Sequence, residues 1–302
     1  MGECSNKGIV IQLQDYSIHD GDGVRTTIFL AGCKLRCQWC ANPESWTTKS
    51  KLVFYRHKCI GCMKCAQACP VNLVPCKMDR HNDIFTACGK CVEVCTQKAL
   101  DIACSEKSAD DLVHKIERDA LFFRYSGGGV TFSGGEPFLQ HKFLRVLLDR
   151  FEELGVNSWV ETCGYFNFEV VQDLIPKFDH IFLDIKHMDS EKHKEFTGHS
   201  NELILENAKK IYAAGVPMTI RIPTIVEVNL ADENLEKTAQ FIRNNLPLAT
   251  IELLPYHELG KAKYISLGIE DKFIKFTTPT EDQISHAYDI FKSYGIEVTE
   301  YR

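Results

Sequence analysis

Six short apolar runs, at about 26–31, 130–132, 156–160, 181–185, 217–222 and 250–254, recur along the chain with helical patterns between most of them. Strand–helix alternation on that scale predicts a parallel sheet with helices outside it, either open or rolled into a barrel. One helical pattern begins at Ser108, which stands with Asp111 in capping-box spacing and is followed by Leu112, Ile116 and Phe123 on one side. Residues 139–154 read as a helix stopped by Gly155, and further helices are predicted at 168–176, 201–214, 232–245 and 281–294. Aromatic positions such as Phe122, Phe123 and Phe182 are expected in the core.

Parallel α/β sheets carry their chemistry at the C-terminal ends of the strands. Polar or glycine-rich segments stand there after all six runs, at 32–40, 133–137, 161–164, 184–187, 221–223 and 254–257. Six such segments on one sheet edge predict a single composite site. Composition adds only limits. With 44% apolar and 25% charged residues the 302-residue chain reads as globular, and a net charge of −6 gives no reason to expect nucleic acid or an anionic membrane as partner. No run approaches 18 apolar residues, and the polar start, Met1 to Lys7, carries no secretory pattern, so a cytoplasmic protein is expected.

The 14 cysteines are distributed unevenly: 33, 37 and 40 form one group, nine lie between 59 and 104, and Cys4 and Cys163 stand apart. A disulfide framework belongs to short secreted chains, whereas clusters spaced by two or three residues suit thiolates converging on metal. Cys33, Cys37 and Cys40 follow the first strand as C-x3-C-x2-C. Three thiolates can hold three irons of a [4Fe–4S] cube and leave the fourth open. Structural zinc would need a fourth ligand, for which His19 is the nearest residue.

That triplet, with Trp39 before its last cysteine, resembles the signature of the radical S-adenosylmethionine (SAM) superfamily. Ser133-Gly134-Gly135-Glu136-Pro137 is similar to its glycine-glycine-glutamate motif, whose backbone and carboxylate receive the SAM amino group. Glycine permits close backbone approach, and a carboxylate complements an ammonium. The closest resemblance is to the glycyl radical enzyme activating enzymes, of the pyruvate formate-lyase activating type. It rests on Gln14 to Arg25 (with Asp22 where proline is usual), Asn42-Pro43-Glu44, Asp184 to Asp189, Arg221-Ile222-Pro223 with Asn229, and Leu254-Pro255-Tyr256-His257 followed by Gly260, Lys263 and Tyr264. Glu227 stands where that group usually has glycine.

Cys59, Cys62, Cys65 and Cys69 before Pro70 form the run of two-cluster bacterial ferredoxins, and Cys88, Cys91 and Cys95 form a second, shorter run. The fourth cysteine of each run serves the other cluster in such folds. Cluster A is thereby assigned to Cys59, Cys62, Cys65 and Cys95. Cluster B takes Cys69, Cys88 and Cys91, but Phe85 occupies the place of a fourth cysteine; Cys76 is the expected substitute and Cys104 the next, the alternative being an incomplete cluster. Residues 1–50 and 105–302 are read as a partial (β/α)6 TIM-type barrel, and 51–104 as a ferredoxin-like insert with two [4Fe–4S] clusters.

The resemblance implies three [4Fe–4S] clusters in all. It further implies SAM contacts at Trp39, Gly134, Gly135, Glu136, Glu161, Thr162, Asp184, Lys186, Arg221 and His257, with a monovalent cation possible near Asp184. The activity implied is reductive cleavage of SAM to a 5′-deoxyadenosyl radical that installs a glycyl radical on a partner enzyme. The expected chain is a monomer fed by a low-potential flavodoxin or ferredoxin, and oxygen-sensitive. Two other classes stand beside this one: a radical SAM enzyme acting on a peptide or small molecule, and an iron–sulfur electron-transfer protein.

Overall fold

The computed structural model describes residues 5–17, 20–77 and 85–299. His19 and Cys4 lie outside these residues. Six strands run parallel in chain order across the sheet: β2 (Arg25–Leu30), β6 (Gly129–Gly134), β7 (Asn157–Thr162), β8 (His180–Asp184), β9 (Met218–Thr224) and β10 (Thr250–Pro255). All six coincide with the apolar runs to within two residues at each end. Two antiparallel strands that periodicity did not reveal, β1 (Lys7–Ser17) and β5 (Ser105–Ser108), extend the sheet beyond β2. β1 alternates too irregularly to announce itself: its burial reads exposed or intermediate at most positions. The sheet is therefore eight-stranded, with its parallel part spanning β10 to β2.

Helices α3 (Ala109–Ser126), α4 (His141–Glu153), α5 (Ser190–Thr197), α6 (Glu202–Ala213), α7 (Asp232–Asn245), α8 (Lys261–Leu267) and α9 (Glu281–Ser293) occupy the connections and the C-terminal region. Ser108 caps α3, its Oγ accepting from the Asp111 N–H at 3.1 Å. Leu112, Ile116 and Phe123 are buried from the same helix. Phe122 is a correction, since it faces solvent at 57% exposure. One residue of helix turns it about 100° from Phe123, away from the sheet. The helix expected at 168–176 is also corrected. That segment forms two 3-10 turns, Phe168–Val170 and Ile175–Lys177. Pro176 has no N–H to bond back to residue 172, so a regular helix cannot run through it.

The insert hangs on an antiparallel pair, β3 (Lys51–Phe54) with β4 (Leu100–Ala103), which carries the short helices α1 (Lys64–Gln67) and α2 (Lys90–Glu93) between its strands. Val53 of β3 packs with Tyr264, Leu267 and Ile269, so α8 joins the insert to the rest of the molecule. No helix among the described residues is long and apolar enough to cross a membrane.

Candidate active site

Strand ends build one cavity of about 260 Å³. Its walls include Cys33, Cys37, Trp39 and Cys40 after β2, Gly134 and Gly135 at β6, Glu161 and Thr162 at β7, Asp184 and Lys186 at β8, Arg221 at β9, and His257 beyond β10. Glu136 is the exception among the residues expected there. Its side chain is fully buried, with Oε2 accepting from Thr162 Oγ1 at 2.8 Å and the Cys163 N–H at 2.9 Å, and Oε1 from the Phe138 N–H at 3.2 Å. In this structure the carboxylate braces the β7 end, with Oε1 receiving a single bond and keeping acceptor capacity. Burial lifts this carboxyl above its ordinary range, and those donors pull it back down.

Close approach explains the paired glycines. Gly134 has φ +110°, and a Cβ on it would stand 2.5 Å from the Leu30 carbonyl oxygen. A Cβ on Gly135 would meet the Gly32 oxygen at 2.3 Å and Cys33 Cβ at 3.2 Å. Only bare backbone lets the β6 end pass this near the cysteine loop. The loop itself is fastened along its length. Arg36 donates through Nη1 to the Cys33 and Leu35 carbonyls, both at 2.7 Å, and through Nη2 to Trp46 O at 3.0 Å. The Arg36 N–H donates to Thr197 O at 2.7 Å, and the Gln38 N–H to Phe196 O at 3.0 Å, so the end of α5 is a second anchor. A third comes from α8: Tyr264 donates its hydroxyl to Cys40 O at 3.1 Å, and Lys263 Nζ sits 2.6 Å from both Asn42 Oδ1 and Glu44 Oε1.

The far wall is a charged ladder. Parallel registers align Asp184, Arg221 and Glu252 on neighbouring strands. Arg221 bonds Glu161 and, through Nε at 2.5 Å, Glu252, with its guanidinium 3.4 Å from the Phe182 ring centroid. Glu161 also accepts from Ser133. Lys186 Nζ lies 2.7 Å from Asp184 Oδ2. Burial works against the Lys186 ammonium, yet Asp184 and the neighbouring cysteine sulfurs hold its pKa above the ordinary value. Glu252 was missed by sequence reading, although a lone carboxylate in the apolar run Thr-Ile-Glu-Leu-Leu was a usable signal. Cys163 lines the cavity, its Sγ 3.0 Å from Glu136 Oε2.

The three thiols fit an iron–sulfur group. Burial pushes Cys37 up to about 12 and Cys40 up to about 11, with adjacent sulfurs adding to the cost of ionising either. Such thiols need a cationic partner to become thiolates, which bound iron supplies. Among the described residues no three His, Cys, Asp or Glu side chains converge as they would around a single metal ion.

Residues 27–242 match the radical SAM superfamily. The chain belongs to that superfamily. Over 96% of its length it is 38% identical to a 4-hydroxyphenylacetate decarboxylase activating enzyme of Clostridioides difficile, of which 95% is covered. It is likewise 38% identical, over 94% of its length and 96% of the relative, to a trans-4-hydroxy-L-proline dehydratase activating enzyme from C. difficile. These relatives put the chain among the glycyl radical enzyme activating enzymes. The radical SAM fold extends to the crystal structure of Streptococcus suis SuiB bound to precursor peptide SuiA, with a TM-score of 0.55 at 13% identity, covering 91% of this chain and 48% of that one. As a radical SAM activating enzyme, the protein uses SAM and a [4Fe–4S] cluster to generate a radical on a glycyl radical enzyme.

In the insert, Cys59, Cys62, Cys65 and Cys95 line one cavity, as assigned to cluster A. Cys76 lines it too, on the same cavity as Cys65. Cys69, Cys88 and Cys91 line a second cavity together with Phe85. The placement of Cys76 in cluster B is thus corrected: the chain after Pro70 turns it toward the opposite set. Cys104 is fully buried, with its thiol donating to Glu44 O at 3.3 Å, and lines neither cavity.

Proposed function

We propose that Cys33, Cys37 and Cys40 hold the [4Fe–4S] cluster of this activating enzyme, and that the strand-end residues around them receive SAM. The single observation that carries this reading is one cavity shared by all three thiols and the motif residues of five further strand ends. Held by these three thiolates, a [4Fe–4S] cluster would supply the electron for reductive cleavage of SAM, the chemistry that yields the 5′-deoxyadenosyl radical able to take a hydrogen atom from a partner's glycine.

The chain's own residues hold and orient. Lys186, paired with Asp184, presents a fixed ammonium suited to the SAM carboxylate. The Gly134–Gly135 backbone admits the amino end of SAM close to the cysteine loop. Glu161, held by Ser133 and Arg221, keeps an acceptor at the β7 end. Trp39, Thr162 and His257 complete the walls. In this reading Asp184 acts first as the orienting partner of Lys186, and a monovalent cation would have to share its carboxylate.

The protein substrate is a glycyl radical enzyme whose radical loop enters the cavity. A decarboxylase or a dehydratase is the first partner to try, since relatives equally similar to this chain are named for activating one or the other. The insert, carrying two auxiliary clusters, relays electrons from flavodoxin or ferredoxin to the triplet, and the enzyme works as a cytoplasmic monomer. The test is anaerobic incubation of reconstituted enzyme with SAM, reductant and each partner, reading 5′-deoxyadenosine and the glycyl radical by electron paramagnetic resonance. Cys37→Ala abolishes both signals; retention of either refutes the assignment.

A further inference from the structure

The insert is an internal repeat of twenty-six residues, and the repeat is broken at one ligand position. Cys62, Cys65 and Cys69 recur as Cys88, Cys91 and Cys95. The backbone recurs with them. Gly61 and Ala87 have φ of 72° and 53°, Met63 and Gly89 of 61° and 78°, Asn72 and Lys98 of 55° and 49°. Helices α1 and α2 begin immediately after the second of these pairs. The Leu73 N–H donates to Cys69 Sγ and the Ala99 N–H to Cys95 Sγ, each at 3.3 Å. Of the first run's four cysteines only Cys59 lacks a matching sulfur, for its counterpart is Phe85.

The consequence is two unequal cavities. Five thiols, including Cys76, line the first; among the described residues Cys69, Cys88 and Cys91 supply the sulfur of the second. Phe85 packs in a small cluster around Leu52, Cys91 and Leu100. Its ring offers no lone pair to iron, and the spare thiol Cys76 lines the other cavity, with Cys65. A four-thiolate cube, which the two-cluster ferredoxin pattern calls for, does not fit the second cavity.

We propose that the second cavity binds an iron–sulfur cluster through three thiolates only, Cys69, Cys88 and Cys91, with one iron position left without cysteine because Phe85 stands in its place. The proposal rests on the reading that the insert binds clusters. One fewer thiolate removes a negative charge and sets this cluster at a higher potential than its four-thiolate neighbour. The open iron is also the one that can leave. On oxidation [4Fe–4S]2+ gives one electron to ferricyanide and one Fe2+ to solution, leaving [3Fe–4S]+.

The test uses the full-length chain with Cys33, Cys37 and Cys40 replaced by alanine, loaded anaerobically with iron and sulfide and titrated with ferricyanide. The expected result is about one three-iron paramagnetic signal and about one released Fe2+ per chain. Phe85→Cys removes both, and Cys76→Ala leaves both unchanged. In the otherwise wild-type chain the triplet adds a three-iron signal of its own, so there Phe85→Cys halves the total, a readout independent of the alanine background. About eight irons that resist ferricyanide, or loss of the second cluster in Cys76→Ala, would overturn the three-thiolate site while leaving the insert a cluster carrier. A loaded chain that retains no iron would overturn both readings.

Discussion

Lys263 Nζ lies 2.6 Å from Glu44 Oε1, joining α8 to the loop that carries the cysteine triplet across 219 residues of chain. Glu44 is 6% exposed at its side chain, so its charge depends on this partner, while the other oxygen, Oε2, is buried without a hydrogen-bond partner among the described residues. Lys263→Met strands the carboxylate and should cost about 1–3 kcal/mol. Thermal unfolding measures that loss, and iron release to a chelator should be faster in the variant because the α8 anchor on the loop keeps only its Tyr264 bond.

Gly135→Ala should be more damaging than its size suggests. The added methyl would sit 2.3 Å from the Gly32 oxygen, a backbone atom that cannot rotate away. A loss of about 2 kcal/mol or more is expected, with the cysteine loop displaced. Iron content after reconstitution should fall together with stability; full iron loading at wild-type stability would contradict the close approach.

Glu252→Gln removes one of the carboxylates around buried Arg221, which keeps its bond to Glu161 and the charge of Asp184. Unfolding stability should drop by on the order of 1–3 kcal/mol. The KM for SAM should rise about threefold to tenfold, since about 1 kcal/mol of misplaced guanidinium translates to that range. An unchanged KM would show that Arg221 does not hold the wall of the site.

Acid should destabilise the fold through His180 and His193. Burial lowers both to about 4, below the 6.5 of an exposed imidazole. The unfolded chain therefore binds more protons as pH falls between those values, and stability present above about 6.5 is lost toward 4. The loss is on the order of 1–3 kcal/mol per histidine, with partial solvent access keeping it below the full shift. Denaturant titrations at pH 7.5 and 5 measure it, and His193→Gln should flatten the difference.

All six parallel strands and five of the helices were legible in the sequence, because each buries a face whose period repeats over several residues. Helices α5 and α8 were not. Neither exceeds eight residues, and α5 is mostly polar, so neither shows a full apolar stripe. The same limit hid β5, a four-residue strand without a buried residue. The site was legible through residue type and spacing: three cysteines, paired glycines and charged residues at strand ends.

Residue type, spacing and periodicity, all local, gave metal-binding thiols at the edge of a parallel sheet, and the motifs carried the resemblance to radical SAM enzymes. Direction in space was left to the tertiary structure. It turned Glu136 from the cavity into a brace, set Glu252 beside Arg221, and brought Lys263 onto the cysteine loop. It also put Cys76 with the sulfur set that was already complete. Each depends on which way a side chain points after the strands are laid side by side, and that follows from register and packing between segments far apart in the chain.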